Sequence, residues 1–191
     1  MQEFISVDGF CADRERTTGF FDGTYHGLGK DVDEHQGQFC TTIDLILLGA
    51  NTYKMFAAYW PNATTAESTV TQAMNSIPKI VFSKSLKDVQ WGDHGSISLV
   101  ADDAVAHIKS LKTAGDKNMI VWGSLSLAQS LLKANLFDEI QLVIVPVAIG
   151  KGYKLFSEEQ QLLPLKLTGH QTFEDGTMLH VYQPGAALPA L

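Results

Sequence analysis

Short apolar runs that stop at glycine set the rhythm of this chain. Ile43-Asp44-Leu45-Ile46-Leu47-Leu48 ends at Gly49, and Met119-Ile120-Val121-Trp122 ends at Gly123. Runs this short, rich in branched side chains and closed by a turn residue, have the pattern of strands buried on both faces. After each glycine the period changes. Ala50-Asn51-Thr52-Tyr53 and Ser124-Leu125-Ser126-Leu127-Ala128 start helical patterns with hydroxyl or amide side chains in the first turn. The alternation holds along most of the chain. Residues 3–7 predict a first strand, 31–42 a helix, 43–48 a strand, and 52–58 a helix ending near Trp60-Pro61, with a short helix closing at Ser76. Residues 79–82 and 97–100 predict strands. Ala104, Val105, Ile108 and Leu111 predict a helix over 102–112, followed by a strand at 119–122 and a helix over 124–133. Beyond Phe137 the helices stop. Residues 137–145 form the longest β-like run, and 165–173 and 177–183 are two more, joined at Glu174-Asp175-Gly176. An Asp-Gly between two such runs predicts a hairpin.

Strands alternating with helices, then strands alone, predict an α/β domain: a mainly parallel central sheet, flanking helices and an antiparallel C-terminal hairpin. Residues 1–183 are expected to form that single domain, and 184–191 a flexible tail. Residues 14–29, rich in glycine, aromatics and charge but without a period, predict a long loop of the kind that carries function.

The composition narrows the class. At 191 residues, 45% hydrophobic and 18% charged, the chain suits one globular domain with a substantial core. No apolar run approaches the roughly 20 residues that cross a bilayer. Met1-Gln2-Glu3-Phe4-Ile5 lacks the basic start and apolar stretch of a signal peptide. Cys11 and Cys40 have neither metal nor redox spacing, so a cytoplasmic location is expected. A net charge of −7 argues against nucleic acid or an anionic membrane as partner. The six histidines, at 26, 35, 94, 107, 170 and 180, show no ligand spacing, and no metal is expected. Neither a P-loop nor a nucleophile elbow is present.

What remains is the pair of glycine junctions. A glycine lets the backbone pass close to a ligand, and a helix starting there offers unpaired N–H groups to an anion. Ser83-Lys84-Ser85 follows the 79–82 strand in the same way. In open α/β sheets ligands bind outside the carboxyl ends of strands, so these junctions predict one crevice for a ligand with several phosphates.

The order of motifs also resembles the dihydrofolate reductase-like family, and more closely its branch related to the C-terminal reductase domain of bacterial riboflavin-biosynthesis enzymes. The matching residues are Ser6-Val7-Asp8-Gly9, Leu48-Gly49-Ala50-Asn51-Thr52-Tyr53, Val81-Phe82-Ser83-Lys84-Ser85, Val121-Trp122-Gly123-Ser124, and 137–152 from Phe137-Asp138-Glu139-Ile140 to Gly150-Lys151-Gly152. The resemblance implies an NAD(P)H-dependent reductase of a small heterocycle, pteridine- or pyrimidine-like with or without a ribosyl group, related to 5-amino-6-(5-phosphoribosylamino)uracil reductase. Carried over residue by residue, it implies cofactor contacts at Val7, Gly49, Asn51, Thr52, Ser83, Lys84, Gly123, Ser124 and Leu125. It implies substrate contacts from Gly9, to which the aromatic residues Phe21 and Trp60 are added as candidate walls. An unusual cis peptide is implied at the 123–124 junction.

Two positions depart from the family pattern. Ala50 stands where an arginine is usual, and Arg is the side chain best shaped for a 2′-phosphate. NADPH is therefore expected with NADH as an alternative, and Lys54 or Lys84 as the substitute cation. Ser124 stands for the second glycine of the usual pair. The proton donor is less defined. The resemblance to the folate-reducing relatives implies a donor on the helix before the strand that ends at Gly49. An ungapped count back leads to Asp33, flanked by Asp31 and Glu34, and Asp8 is the other catalytic candidate. Acids in a helix first turn also have a plain structural reason, the helix dipole. Two alternatives stay open: a nucleotide-binding module of the same fold without reductase activity, and a true dihydrofolate reductase. A homodimer is expected by analogy with the riboflavin branch and from the apolar 137–149 segment.

Overall fold

The structure is a computed structural model and describes residues 1–66, 68–158 and 162–185. In chain order the elements are β1 (Gln2–Ser6), β2 (Phe10–Ala12), α1 (Lys30–Cys40), β3 (Leu45–Gly49), α2 (Ala50–Tyr59), a 3-10 turn (Trp60–Asn62), α3 (Thr71–Ser76), β4 (Lys79–Phe82), β5 (Ile97–Val100), α4 (Ala104–Ala114), β6 (Met119–Val121), α5 (Leu125–Lys133), β7 (Ile140–Val145), β8 (Tyr153–Lys154), β9 (Leu165–Thr172) and β10 (Met178–Pro184). They form two compact units. One comprises Met1–Val32 with the described residues from Ala128 onward; the other is Asp33–Leu127.

The Asp33–Leu127 unit is built on a parallel sheet in the order β5-β4-β3-β6. Its centre is β3, where Leu45, Ile46, Leu47 and Leu48 are all buried, as their unbroken apolarity requires. Ile46 and Leu48 pack with Val81, Ile120, Tyr53, Met74 and Trp91 in one core cluster. Each such side chain contributes about 1.5–3 kcal/mol by leaving water. Asp103 caps α4, its carboxylate accepting from the Val105 and Ala106 N–H groups at 2.8 and 3.2 Å.

In the other unit the order is β1-β7-β10-β9. β1 pairs with β7 in parallel, and the two other pairings are antiparallel. β7 is flanked on both sides, with Ile140, Val143 and Val145 almost fully buried. That central position accounts for the apolarity of this run within the unit. Val143, Leu179, Phe173 and Val32 form its second core cluster, with Phe4, Leu28 and Val181 packed against it. The hairpin turns at Asp175-Gly176, where Phe173 N–H bonds Thr177 O at 2.9 Å. His170 and His180 are cross-strand partners there, and the His180 Nδ1 pairs with the Tyr182 hydroxyl at 3.0 Å.

Several boundaries differ from expectation. Residues 137–139 are not strand, so β7 starts at Ile140. The strands β2 and β8 form a small antiparallel pair that no periodicity announced, being only three and two residues long. The first strand joins β7 rather than the all-parallel ladder. Pro184 is the last residue of β10, and Gly185 N–H bonds Pro164 O at 2.8 Å, so ordered chain extends past residue 183; the rest of the expected tail, 186–191, lies outside the described residues. The 14–29 loop is held by its own polar contacts: Asp13 takes the Thr17 N–H and hydroxyl, and Asp22 takes the Thr18 hydroxyl and Thr24 N–H. Its end is tied to the hairpin, since Gly29 N–H donates to Asp175 and Glu174 N–H donates to Asp31, both at 2.8 Å.

One polar group interrupts the core. Lys79 on β4 is 2% exposed. Its ammonium donates to Ile77 O at 2.6 Å and stands 4.5 Å from the Trp91 ring centroid. Burial outweighs these contacts and lowers its pKa from 10.5 to about 8. A lowered lysine pKa penalises folding below the folded value, and the penalty disappears as pH rises to the unfolded value. The stability of the wild type relative to Lys79→Met should therefore rise by about 3 kcal/mol between pH 8 and 10.5. Chemical denaturation of both proteins across that window measures it. The buried Cys11 and Cys40 thiols, whose pKa is pushed up by burial, act in the opposite sense in both proteins and cancel. Parallel curves would contradict the assignment.

Candidate functional site

β3 and β6 lie side by side with Leu47 opposite Val121, which brings Gly49 and Gly123 together where the strands end. Gly49 N–H donates to Gly123 O at 3.2 Å. A methyl group on Gly49 would strike the Ser124 Oγ and stand 3.0 Å from the Ser124 nitrogen. One on Gly123, whose φ is +72°, would stand 2.6 Å from the Thr52 Oγ1. Each glycine thus makes room for the hydroxyl residue that follows the other. The Gly123–Ser124 peptide is cis, as the resemblance implies. Ser124 Oγ lies 3.2 Å from Ser126 Oγ.

Two helices start from this joint. Gly49 is the N-cap of α2 and offers no side-chain cap, and neither α2 nor α5 has an acidic residue in its first turn. The first N–H groups of both helices are therefore uncompensated by side-chain charge, and their dipoles present positive ends at adjacent positions. β4 adds a third junction, since Phe82 is opposite Gly49 and Ser83 follows it. The Ser83 hydroxyl accepts from the Ser85 and Leu86 N–H groups at 3.2 and 3.1 Å, which shapes the turn and leaves Lys84 exposed. Asn51 and Lys54 are exposed on the first turns of α2. The structure accordingly gathers Gly49, Asn51, Thr52, Ser83, Lys84, Gly123, Ser124 and Leu125 at the carboxyl ends of three neighbouring strands.

The other sequence candidates have separate settings. Val7, Asp8 and Gly9 form the turn after β1, closed by Gly9 N–H on Ser6 O at 2.9 Å. Val7 is 60% exposed. Asp8 accepts from the Ser6 hydroxyl at 2.6 Å, Gly150 N–H at 2.7 Å and Ile149 N–H at 3.2 Å. Partial desolvation pushes its pKa upward, but these hydrogen bonds together outweigh it and hold the carboxyl below its usual range. It is a carboxylate at neutral pH, with no proton to give. Phe21 stacks on Phe4 at 4.7 Å and meets Phe20 edge-on.

Asp33, on α1, accepts from the Ser68 hydroxyl at 2.5 Å and Thr69 N–H at 2.8 Å, so its carboxylate anchors the chain before α3. Asp31 is likewise committed, to Val32 N–H and Glu174 N–H. Trp60 closes the far end of α2, edge-on to Tyr59 and Phe56 and packed against the core. Neither Asp33 nor Trp60 joins the residues gathered at the strand ends. Sequence reasoning passed over Tyr53, whose hydroxyl accepts from Gln90 N–H at 2.9 Å and donates to Gln90 O at 3.1 Å. Nothing in the local pattern marks a contact to a loop so far along the chain. Among the described residues no group of three or more His, Cys, Asp or Glu could hold a metal, and no helix is long and apolar enough to cross a membrane.

Comparison with known proteins follows the same lines. The family described as the RibD C-terminal domain matches residues 1–179. The uncharacterized protein YyaP of Bacillus subtilis (strain 168) is 29% identical over 180 residues, covering 93% of this chain and 90% of YyaP. A Shewanella sp. PV-4 protein, named provisionally for riboflavin biosynthesis, has a crystal structure similar to this one at a TM-score of 0.75, with 22% identity and 97% of each chain covered. Dihydrofolate reductase from Enterococcus faecalis, complexed with NADP(H) and RAB-propyl, matches at a TM-score of 0.60, with 11% identity over 97% of this chain and 95% of that one. The fold is dihydrofolate reductase-like.

The interlocked glycines give a direct test by thermal unfolding. Gly123→Ala should cost roughly 2 kcal/mol or more, since it adds a left-handed φ to the contact with Thr52. Gly49→Ala should cost about 1–3 kcal/mol through overpacking against Ser124. Gly115→Ala, facing open space, is the control and should stay within about 0.5 kcal/mol of wild type. Equal melting for all three would refute the close approach.

Proposed function

Since the chain belongs to the RibD C-terminal domain family, we propose that it is an NAD(P)H-dependent reductase of a small heterocyclic substrate. Family membership and the dihydrofolate reductase-like fold support a reductase-type activity. The observation that carries the finer reading is the joint between Gly49 and Gly123. Its two glycines leave a cradle that a side chain would fill, beside two helix starts without acidic residues. That donor set suits the diphosphate of a dinucleotide. Gly49, Asn51, Thr52, Gly123, Ser124 and Leu125 would hold the diphosphate, and Ser83 and Lys84 the adenine-side phosphate. The bound nicotinamide would supply a hydride to an electron-poor carbon of a pteridine- or pyrimidine-like ring, with or without a ribosyl group. Val7 and Gly9 on the exposed turn after β1 are the proposed contacts to nicotinamide and substrate. Asp8, as a bonded carboxylate, would hold that turn rather than supply the proton.

Cofactor choice rests on lysine. With Ala50 in place of the usual arginine, Lys54 and Lys84 are exposed cations on the elements around the phosphate position. Lysine meets a phosphate as a point charge, without the bidentate fork. NADPH is the expected cofactor, by a smaller margin over NADH than an arginine would give. A cytoplasmic homodimer completes the reading, and light scattering distinguishes dimer from monomer.

A second reading has one observation in its favour. The carboxylates of Asp8 and Asp33 are both spent on anchoring, which fits a nucleotide-binding module that does not reduce. Calorimetric titration with NADPH and NADH, followed by NADPH oxidation over a panel of pteridines and pyrimidines, separates the two. The reductase reading expects NADPH to bind roughly tenfold tighter than NADH, a gap of about 1.4 kcal/mol, and Lys84→Gln to narrow it. Turnover on some member of the panel completes the reductase case. Tight binding with no turnover would favour the module, and no binding of either nucleotide would sink the reductase reading and leave the module only with some other nucleotide as ligand.

A further inference from the structure

Tyr53 is the fourth residue of α2 and 9% exposed, its ring in the core cluster with Ile46, Leu48 and Trp91. Its hydroxyl leaves that core to make both hydrogen bonds that the Gln90 backbone can offer, at 2.9 and 3.1 Å. Gln90 closes the segment that begins at Ser83. At the other end, Ser83 N–H bonds Val100 O at 3.0 Å, and its hydroxyl gathers the Ser85 and Leu86 N–H groups. Leu86 and Val89 pack on the core between these two fixed points. Directly after Gln90, Trp91 is buried and donates its Nε1–H to Asn75 Oδ1 at 2.9 Å. The segment bearing Ser83 and Lys84 is thus fastened to the same helix whose start forms half of the glycine joint.

We infer that Tyr53 is a positioning residue for the adenine-side half of the dinucleotide site, fixing the segment from Ser83 to Gln90 relative to the start of α2. The inference rests on the dinucleotide reading above. Its physical basis is that Lys84 is exposed and meets a phosphate only as well as its backbone is held. A lysine carried on a held backbone loses less ordering entropy on binding than one carried on a mobile backbone. The tyrosine hydroxyl supplies that order because it answers both a donor and an acceptor of one exposed residue. The diphosphate position depends instead on Gly49, the last residue of β3, and Gly123, just past the end of β6, which do not use this clamp.

Tyr53→Phe tests the inference, because it keeps the buried ring and frees the Gln90 backbone to water. The first measurement is hydrogen exchange on the ligand-free proteins. Amides of residues 85–91 should exchange roughly tenfold faster in the variant, with β3 and β6 unchanged. Unchanged exchange at 85–91 would overturn the clamp whatever the protein binds. Next come titrations with NADPH, adenosine 2′,5′-bisphosphate and reduced nicotinamide mononucleotide. NADPH and the bisphosphate should bind roughly three- to tenfold more weakly to the variant, while the mononucleotide keeps its affinity. Equal loss for both halves, or none for either, would overturn the positioning role, since a general loss of stability does not choose between the halves. Wild-type protein that binds neither half, with the exchange effect present, would overturn the dinucleotide reading and with it the role assigned to the clamp, though not the clamp itself.

Discussion

The close approach of two strand ends, at Gly49 and Gly123, is the constraint from which the candidate site follows. Neighbouring strands in a sheet stand a little under 5 Å apart, which leaves no room for side chains to pass between backbones as they turn into helices. Here the Ser124 and Thr52 hydroxyls occupy the space a Cβ would take on the opposite glycine. The chain can therefore start α2 and α5 from adjacent positions, and two helix starts come together with no acidic side chain in either first turn. A backbone arranged this way favours an anion without any basic residue, so a net charge of −7 does not count against the proposed phosphate site.

The parallel ladder and its core serve this arrangement. β3 lies between β4 and β6, so three strand ends deliver their loops to one edge. The Ile46, Leu48, Val81 and Ile120 core holds the strands in register, and register decides which residue stands opposite which glycine. Lys79 shows that the unit accepts a substantial desolvation cost elsewhere in the same core, offset in part by Ile77 O and the Trp91 ring. In the other unit, by contrast, the conspicuous polar contacts are fasteners. Asp8, Asp31 and Asp175 each collect backbone N–H groups from a loop or turn.

Much of this was legible in the sequence because it was local. Leu45–Leu48 and Met119–Val121 announced buried strands by composition, the glycines announced their ends, and Asp175-Gly176 announced the hairpin. Features set by distant pairing were not legible. β2 and β8 are too short to carry a period and exist only because they pair with each other. Pro184 is expected from the sequence to open a flexible tail, yet as the last residue of β10, opposite Leu165, it prolongs the strand. The same limit applied to chemistry. Acidic residues could be named as proton donors, but only the fold shows that Asp33 is spent on Ser68 and Thr69, and Asp8 on Ser6, Ile149 and Gly150. Tyr53 escaped for the same reason, as its partner Gln90 lies outside any local pattern.

On the proposed reading, the paired glycine junctions bind the diphosphate of a nicotinamide dinucleotide. Amide NMR of the isotope-labelled protein, titrated with NADPH, tests it at the residues concerned. The largest shifts should fall on the backbone amides of Ala50, Asn51, Ser124 and Leu125, with smaller ones at Ser83 and Lys84. Shifts confined to other regions, or a spectrum that NADPH leaves unchanged, would contradict it.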